Sequence, residues 1–526
     1  MKFALLWGWC SPWVADSFRT LPMQSRVRSL QMTREKGVDL STQIYCNVEL
    51  NADYIEAVGF DMDFTLAQYN EAFDMLAYEG AKRKLHENLG YPAEVMEFEY
   101  SSDKFRRGLV IDKKRGNILK IDRHKYVRTA YHGLGDISRD DRKDIYNSAR
   151  EVVSFTEQNF VNIDTIFLLV DALLFAHLVD LRDKTPSLQD RSYEQLYKDV
   201  RQSIDLCHRD GVIKDAVMKN PEKYILYDDG IVPMLQQLRK AGKKVFLLTN
   251  SLYDYTNVVM NYLVHGGGSY SEIGWQQFFD VAIVGACKPG FLTNDNLNLF
   301  EVDRQGRLQN VEDKDAVSKI PTGPDLHPHN DTQQSPQRVF QGGYWHDLHR
   351  MLDVSFGDKI LYVGDHMYAD ILRSKRSLGW RTCLIIPELD HEAGVAKSES
   401  PLYVEVLRLR RLQYDLDEYI DMIRMEFRRT GDLFVSAKLQ GAQAQATDLK
   451  QQVRSADDKY NRKFNSAWGQ LFKAGAHDSR FAKQVRNYAC LYTSRVSNLG
   501  FVSPNRPFRP VQDFMPHDQV IFESEY

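Results

Sequence analysis

The chain lacks most of the features that would mark a secreted, membrane or nucleic-acid-binding protein. Its six cysteines, Cys10, Cys46, Cys207, Cys287, Cys383 and Cys490, stand far apart with no CxxC pair. That spacing argues against a zinc framework and suits free thiols in a reducing compartment better than a disulfide scaffold. Beyond the N-terminus no stretch approaches the roughly 18 uncharged apolar residues of a membrane span. A basic excess is missing as well. The 68 Lys and Arg stand against 72 Asp and Glu, a net charge of −4, which speaks against a dedicated nucleic-acid binder. Apolar residues at 43% and charged residues at 27% exclude collagen-like and wholly disordered chains. No internal repeat is present. What remains is a large globular protein of 526 residues, about three folding units by length, expected in the cytoplasm.

The first residues, MKFALLWGWCSPWVADS, superficially resemble a signal peptide, but Pro12 interrupts the apolar run and three tryptophans crowd it. Residues 1–44 are read as an N-terminal extension. Arg19, Arg26 and Arg28 leave a mitochondrial or plastid transit segment as the alternative. Five short apolar runs then read as strands buried on both faces: 55–60, 245–248, 281–284, 360–363 and 383–386. Helical patterns separate most of them, which is the alternation of a doubly wound α/β domain with a mostly parallel sheet. The core is expected at 45–74 and 226–400. Residues 75–225 are too long for a crossover and read as an inserted cap of mixed or helical structure. The Pro-rich stretch 315–336 reads as a surface loop, and its His327 and His329 lack the further ligands a metal site needs. Residues 401–475 carry apolar residues at three- and four-residue spacing. Antiparallel helices packed on the body, a coiled coil or a dimer contact would each satisfy that pattern. Residues 476–526 are expected to pack back on the core.

The informative residues follow the strands. After the first comes Asp61-Met62-Asp63, after the second Thr249-Asn250-Ser251, after the third Lys288-Pro289, and after the fourth Gly364-Asp365 with Asp370 five residues on. Ligands of open α/β sheets bind beyond the carboxyl ends of the strands, so these clusters are expected to meet in one crevice. Their chemistry is coherent. Asp61 is the candidate nucleophile, splitting phosphate-ester hydrolysis into two displacements through an aspartyl-phosphate. Asp63 would protonate the leaving oxygen and later deprotonate water. Mg²⁺, a hard cation that prefers oxygen ligands, suits this acidic site, with Asp61, Asp365 and the backbone carbonyl of Asp63 as expected ligands. Lys288 adds positive charge, and Thr249, Asn250 and Ser251 would hold the phosphoryl oxygens. Asp370 would orient Lys288 or a metal-bound water. Alone, each cluster is an ordinary cap or turn; four in order are not.

The order DxDxT, TN, KP, GDxxxxD resembles the haloacid-dehalogenase superfamily of phosphohydrolases. More narrowly, Gly59-Phe60-Asp61-Met62-Asp63-Phe64-Thr65-Leu66-Ala67 resembles the cytosolic purine 5′-nucleotidases and their nucleotidase-domain-containing relatives. So do Arg107-Gly108-Leu109-Val110, Gly116-Asn117-Ile118-Leu119-Lys120, Val339-Phe340-Gln341-Gly342-Gly343, Gly379-Trp380-Arg381-Thr382 and Phe514-Met515-Pro516-His517. The likeness spans about residues 45–520. It implies a Mg²⁺-dependent 5′-nucleotidase acting on purine nucleoside monophosphates, IMP and GMP foremost, and a homo-oligomer. It also implies that Arg201, Asp205 and Lys214 read the base edge with His208 beside it, and that Phe167 stacks on the base. By spacing alone, residues 201, 205 and 208 share one helix face, as a solvated charged face would, and Phe167 fits a core position equally well. The long acidic tail of the purine enzyme is absent, so its regulation does not carry over. A phosphatase of another small ester, or a scaffold binding partners through the C-terminal helices, remains the alternative.

Overall fold

The computed structural model describes residues 40–146, 154–155, 158–266, 274–295, 297–303, 305–311 and 339–511. Most of the N-terminal extension, the 315–336 loop with His327 and His329, and Phe514–His517 lie outside these residues. Strands β1 (Tyr45–Cys46) and β2 (Ala57–Phe60) come first. The chain then leaves their sheet for nearly two hundred residues. It forms helix α1 (Glu71–Leu89) and the strands β3 (Val110–Asp112), β4 (Asn117–Ile121), β5 (Val127–His132), β6 (Gly135–Asp136) and β7 (Phe160–Asn162). Helices α2 (Leu168–Lys184), α3 (Tyr193–Arg209), α4 (Lys214–Lys219) and α5 (Ile231–Lys240) follow, and the chain returns to the first sheet as β8 (Lys244–Leu248). Then come α6 (Tyr253–His265), β9 (Val281–Val284), β10 (Leu299–Val302), β11 (Leu308–Asn310), β12 (Val339–Gly342), α7 (Trp345–Leu352), β13 (Ile360–Gly364) and β14 (Arg381–Ile385). Helices α8 (Glu388–Ser398), α9 (Ser400–Thr430) and α10 (Leu433–Asn461) precede the last strand of the sheet, β15 (Leu491–Thr493).

The large sheet has ten strands in the order β1-β15-β14-β13-β2-β8-β9-β12-β10-β11. Pairing is parallel from β15 through to β12, with antiparallel strands at both margins. Every residue of β2, β9 and β13 is buried. The reason lies in the period of two along a strand. Val58, Phe60, Val245, Leu247, Leu361 and Val363 enter one apolar cluster, with Leu173, Leu196, Met234 and Val259 of α2, α3, α5 and α6. Ala57, Phe246, Leu248, Ile360 and Tyr362 point the other way, into a second cluster with Leu348 and Leu352 of α7. Both faces are therefore covered by helices, which is why these strands read as continuous apolar runs.

β2, the first long strand in sequence, sits between β8 and β13. Such a reversal of strand order opens a crevice at the carboxyl ends. Gly59 permits the close packing of β2 against β8, since a Cβ there would lie 2.0 Å from Phe246 Cζ.

The inserted segment contains a five-stranded antiparallel sheet, β6-β5-β4-β3-β7, besides its helices. Periodicity did not reveal it because the strands are short and β4 is buried throughout. Helices α9 and α10 form an antiparallel hairpin. Gly431 ends α9 in the left-handed conformation, and the Asp432 carboxylate accepts from the Phe434 N–H to start α10. Val406, Leu409, Ile420 and Ile423 of α9, with Val435, Ala442, Val453 and Tyr460 of α10, are buried. The Arg410 guanidinium donates to both oxygens of Asp457 at 2.7 Å. Among the described residues no helix is long and apolar enough to cross a membrane.

Candidate active site

Asp61 is the first residue beyond β2. Its N–H still donates to the Val363 carbonyl at 2.9 Å, so the side chain leaves the sheet at a fixed height. The Met62 N–H donates to Asp61 Oδ1 at 2.8 Å. Phe64 then takes the left-handed conformation, φ +52°, and the N–H groups of Thr65 and Ala67 donate to the Met62 carbonyl. This tight loop turns Asp63 back into the crevice. There its Oδ1 accepts from the Tyr69 hydroxyl at 2.6 Å and its Oδ2 from the Ser251 hydroxyl at 2.7 Å. Burial pushes the Asp63 carboxyl above the usual range, and the two hydroxyl donors oppose that rise.

Lys288 follows β9 and is held by its backbone. Its N–H donates to Asn250 Oδ1 at 2.6 Å, and Asn250 Nδ2 donates to its carbonyl at 3.1 Å. The ammonium lies 2.8 Å from Asp370 Oδ1 and 3.0 Å from Asp61 Oδ1. It also donates to the Tyr362 hydroxyl at 2.8 Å, which in turn donates to the Leu248 carbonyl. Burial works against the charged amine, but Asp370 and Asp61 outweigh it and hold the Lys288 pKa well above its ordinary value.

Asp365 begins the turn after β13, and Asp370 lies in the π-helical turn Met367–Leu372. Gly364 is required by their approach, because a Cβ there would meet Asp370 Cβ at 2.5 Å. The Thr165 hydroxyl donates to Asp365 Oδ2 at 3.0 Å, and the buried Arg107 donates to the Asp365 carbonyl at 3.0 Å while its fork grips Glu388. Burial, then Asp370, pushes the Asp365 carboxyl up to about 7. Asp61 is raised well above its usual range by burial, against the pull of Lys288. Carboxylate oxygens of Asp61, Asp365 and Asp370 all lie within 4.8 Å of one another.

The crevice therefore brings together Asp61, Lys288, Asp365 and Asp370, with Asp63 and Ser251 adjoining. Thr249 is fully buried and its hydroxyl accepts from the Ser251 N–H. The Ser251 hydroxyl is engaged by Asp63, and Asn250 has one amide hydrogen engaged by Lys288. Both contacts add a positioning role to the phosphate-binding role expected from sequence.

A second group stands on the inserted segment. The Phe167 ring, just ahead of α2, meets Phe64 edge-on at 4.6 Å between centroids and His208 at 6.3 Å. Phe64 thus links the Asp63 loop to this group. Arg201 donates to both oxygens of Asp171 at 3.0 and 2.8 Å and also pairs with Asp205. Burial, with Arg201 and Lys214 nearby, pushes His208 down to about 4, so its imidazole is neutral at pH 7. Lys214 Nζ lies 5.6 Å from the Tyr255 ring centre. The Tyr255 and Tyr69 hydroxyls are 2.9 Å apart, which carries the chain of contacts on to Asp63.

Tyr69, Tyr255, Tyr362, Thr165, Asp171 and Arg107 were not among the sequence candidates. Tyr362 offered a signal: a tyrosine in the otherwise aliphatic strand Ile-Leu-Tyr-Val-Gly needs a partner for its hydroxyl. Tyr69 and Tyr255 offered none, since they meet only in the folded chain.

Residues 44–520 match the 5′ nucleotidase family, and the chain belongs to that family. Its reaction class is hydrolysis of a phosphoric monoester, with a nucleoside monophosphate as substrate. Similar proteins include 5′-nucleotidase domain-containing protein 2 of Rattus norvegicus, 27% identical over 92% of this chain and 81% of its own length. The Homo sapiens protein of that name is also 27% identical, over 92% of this chain and 86% of its own. A 5′-nucleotidase domain-containing protein of Dictyostelium discoideum is 27% identical over 92% and 77%.

Proposed function

We propose that the chain is a Mg²⁺-dependent 5′-nucleotidase of haloacid-dehalogenase type, hydrolysing purine nucleoside 5′-monophosphates, IMP and GMP foremost. In this reading the large sheet (45–74 and 226–400) is the catalytic core. The inserted segment (75–225) is the cap that recognises the base, and 401–475 and 476–526 are an appendage and a C-terminal segment. The observation that carries it is the placement of Asp61 at the end of β2, 3.0 Å from Lys288, with Asp63 two residues on and hydrogen-bonded across to Ser251.

The donor set fits Mg²⁺. Three buried carboxylates have oxygens within 4.8 Å of one another, the Lys288 ammonium contacts two of them, and carboxylate oxygens are what this hard cation prefers. Asp61, Asp365 and the Asp63 backbone carbonyl would hold it, with Asp370 alongside. The Asp63 carboxyl group accepts from the Tyr69 and Ser251 hydroxyls and is kept for proton transfer. Bound there, the ion would offset the negative charge of acids and phosphate together.

An Asp61 oxygen attacks phosphorus as the ester P–O bond breaks, and Asp63 gives its proton to the departing 5′ oxygen. Asp63 then takes a proton from water, whose oxygen attacks phosphorus. The Asp61–phosphorus bond breaks and phosphate is released. Lys288 stabilises the phosphoryl oxygens throughout. The aromatic ring of Phe167 and the neutral His208 would flank the base, while Arg201, Asp205 and Lys214 would read its edge. One observation favours a different phosphate ester as substrate: Arg201 is already paired with Asp171 and Asp205.

Phosphate release from a panel of nucleoside monophosphates, with Mg²⁺ or EDTA, tests this reading. Turnover of IMP and GMP that is lost in EDTA and falls about 10³-fold or more in Asp61→Asn is expected. No release from any nucleotide would sink the substrate; full activity in Asp61→Asn would sink the mechanism. Arg201→Ala should lower turnover of IMP more than that of an aryl phosphate, and an equal loss overturns the base-reading role.

A further inference from the structure

The two helices of the α9–α10 hairpin differ on their outer faces. Opposite its buried seam, α10 begins with the exposed Leu433 at the hairpin tip and then presents Gln440, Ala444, Thr447, Gln451, Arg454 and Asp458, a face suited to water. Opposite its own seam, α9 presents Val404, Leu407, Arg411, Tyr414, Glu418, Met422 and Met425, all exposed. The five apolar members remain 46% (Leu407) to 63% (Val404) accessible. Together with Arg411 and Glu418 they fall at three- and four-residue steps, the spacing of a helix-pairing seam. From Val404 to Met425 the stripe runs about 30 Å at the rise of an α-helix. Solvent alone gives no reason to place such a stripe on one helix of the hairpin and not on the other.

The two charged residues within the stripe indicate what covers it. Arg411 and Glu418 stand at equal distances on either side of Tyr414–Asp415. So do Leu407 and Met422, and so do Val404 and Met425. If a second α9 is laid antiparallel about a two-fold axis at that level, each Arg411 comes level with a partner Glu418. Val404 comes level with Met425 and Leu407 with Met422, while each Tyr414 comes level with Asp415 of the second copy, so that the two Tyr414 rings lie on either side of the axis. A parallel pairing would instead set Arg411 beside Arg411 and Glu418 beside Glu418. Self-complementarity of this kind is what an isologous contact between identical chains requires, and charges inside such a seam select orientation and register. Arg411 already bridges Asp415 in its own helix at 3.3 Å, which holds its guanidinium beside the stripe.

We propose that the outer face of α9 binds a second copy of this chain, antiparallel and centred on Tyr414. The contact uses none of the residues assigned to the phosphate site and is independent of the reaction proposed above.

The full chain is tested by sedimentation equilibrium at tens of micromolar, with circular dichroism to check folding. The wild type is expected as a dimer or a higher even-numbered assembly. Arg411→Glu or Glu418→Arg alone should halve the mass, and the double exchange Arg411→Glu with Glu418→Arg should restore it. Under mild oxidation Tyr414→Cys should form a covalent dimer beyond the wild-type baseline. Val404→Cys alone should not, but should cross-link when paired with Met425→Cys. A monomeric wild type, single exchanges of unchanged mass, a double exchange that fails to restore it, or Val404→Cys cross-linking as readily as Tyr414→Cys would each overturn the proposal.

Discussion

Lys288 lies within 3.0 Å of two carboxylates, Asp61 and Asp370, and within hydrogen-bond reach of Tyr362. Removing one partner of a buried ion pair leaves the others uncompensated, at a cost of about 3–5 kcal/mol. Lys288→Met is therefore expected to lower the urea midpoint sharply as well as to stop phosphate release. Tyr362→Phe, which deletes the hydrogen bonds to the Lys288 ammonium and to the Leu248 carbonyl, should cost about 1.5–3 kcal/mol and leave measurable turnover. His349 supplies a pH test two aromatic rings removed from Lys288, through Trp380 and Tyr362. Its Nε2 accepts from the Trp380 indole N–H at 2.9 Å, and its Nδ1 faces the Val354 carbonyl at 3.1 Å. Both contacts are satisfied at once only by a neutral ring whose proton is on Nδ1. Burial accordingly pushes its pKa down to about 4, below the ordinary value of about 6.5. The unfolded chain therefore takes up the proton first, and this contribution to stability is lost as pH falls from about 6.5 to about 4. His349→Gln keeps one donor and one acceptor without titrating there. Urea midpoints across that range should fall less steeply in this variant than in the wild type.

At the scale of elements, strand β2 and its neighbours show how packing aims the side chains of the crevice. Gly59 lies beneath the Phe246 ring, and a Cβ there would come 2.0 Å from it. Gly59→Ala forces β2 away from β8 and is expected to cost about 1–3 kcal/mol, with phosphate release falling because Asp61 is only two residues on. Gly431 is the contrasting case. It has φ +67° but nothing within 4 Å of an added Cβ. Gly431→Ala should cost about 1–2 kcal/mol for the left-handed backbone alone and leave phosphate release unchanged. The carboxyl-terminal residues of the strands could be named from sequence because long apolar runs followed by polar clusters mark both strand and exit. The pairing of Tyr69 with Tyr255, and of Thr165 with Asp365, could not. These partners stand 186 and 200 residues apart, and no local pattern announces a contact at that range.

At the scale of the whole molecule, Arg107 ties three distant segments together. From the inserted segment its fork reaches Glu388 at the start of α8 and the carbonyls of Asp365 and Ile385. Arg107→Lys keeps the charge but loses the planar fork. It should lower the melting temperature and slow phosphate release together, since the Asp365 turn loses its anchor; a change in neither would show that the anchor is dispensable. Sequence alone determined the mostly parallel sheet, the order of the polar clusters along it and the amphipathic character of the C-terminal helices. Each of these is written in local periodicity or in residues adjacent to a strand end. Only the tertiary structure decided that the inserted segment holds an antiparallel sheet, and that β15 returns to extend the large one beside β14. The same holds for Asp63, whose hydroxyl donors come from Tyr69 and Ser251, and for Arg201, which is paired twice over within its own segment. Those outcomes depend on which faces meet once both sides of the sheet are covered, and packing between distant segments leaves no periodic trace in the chain.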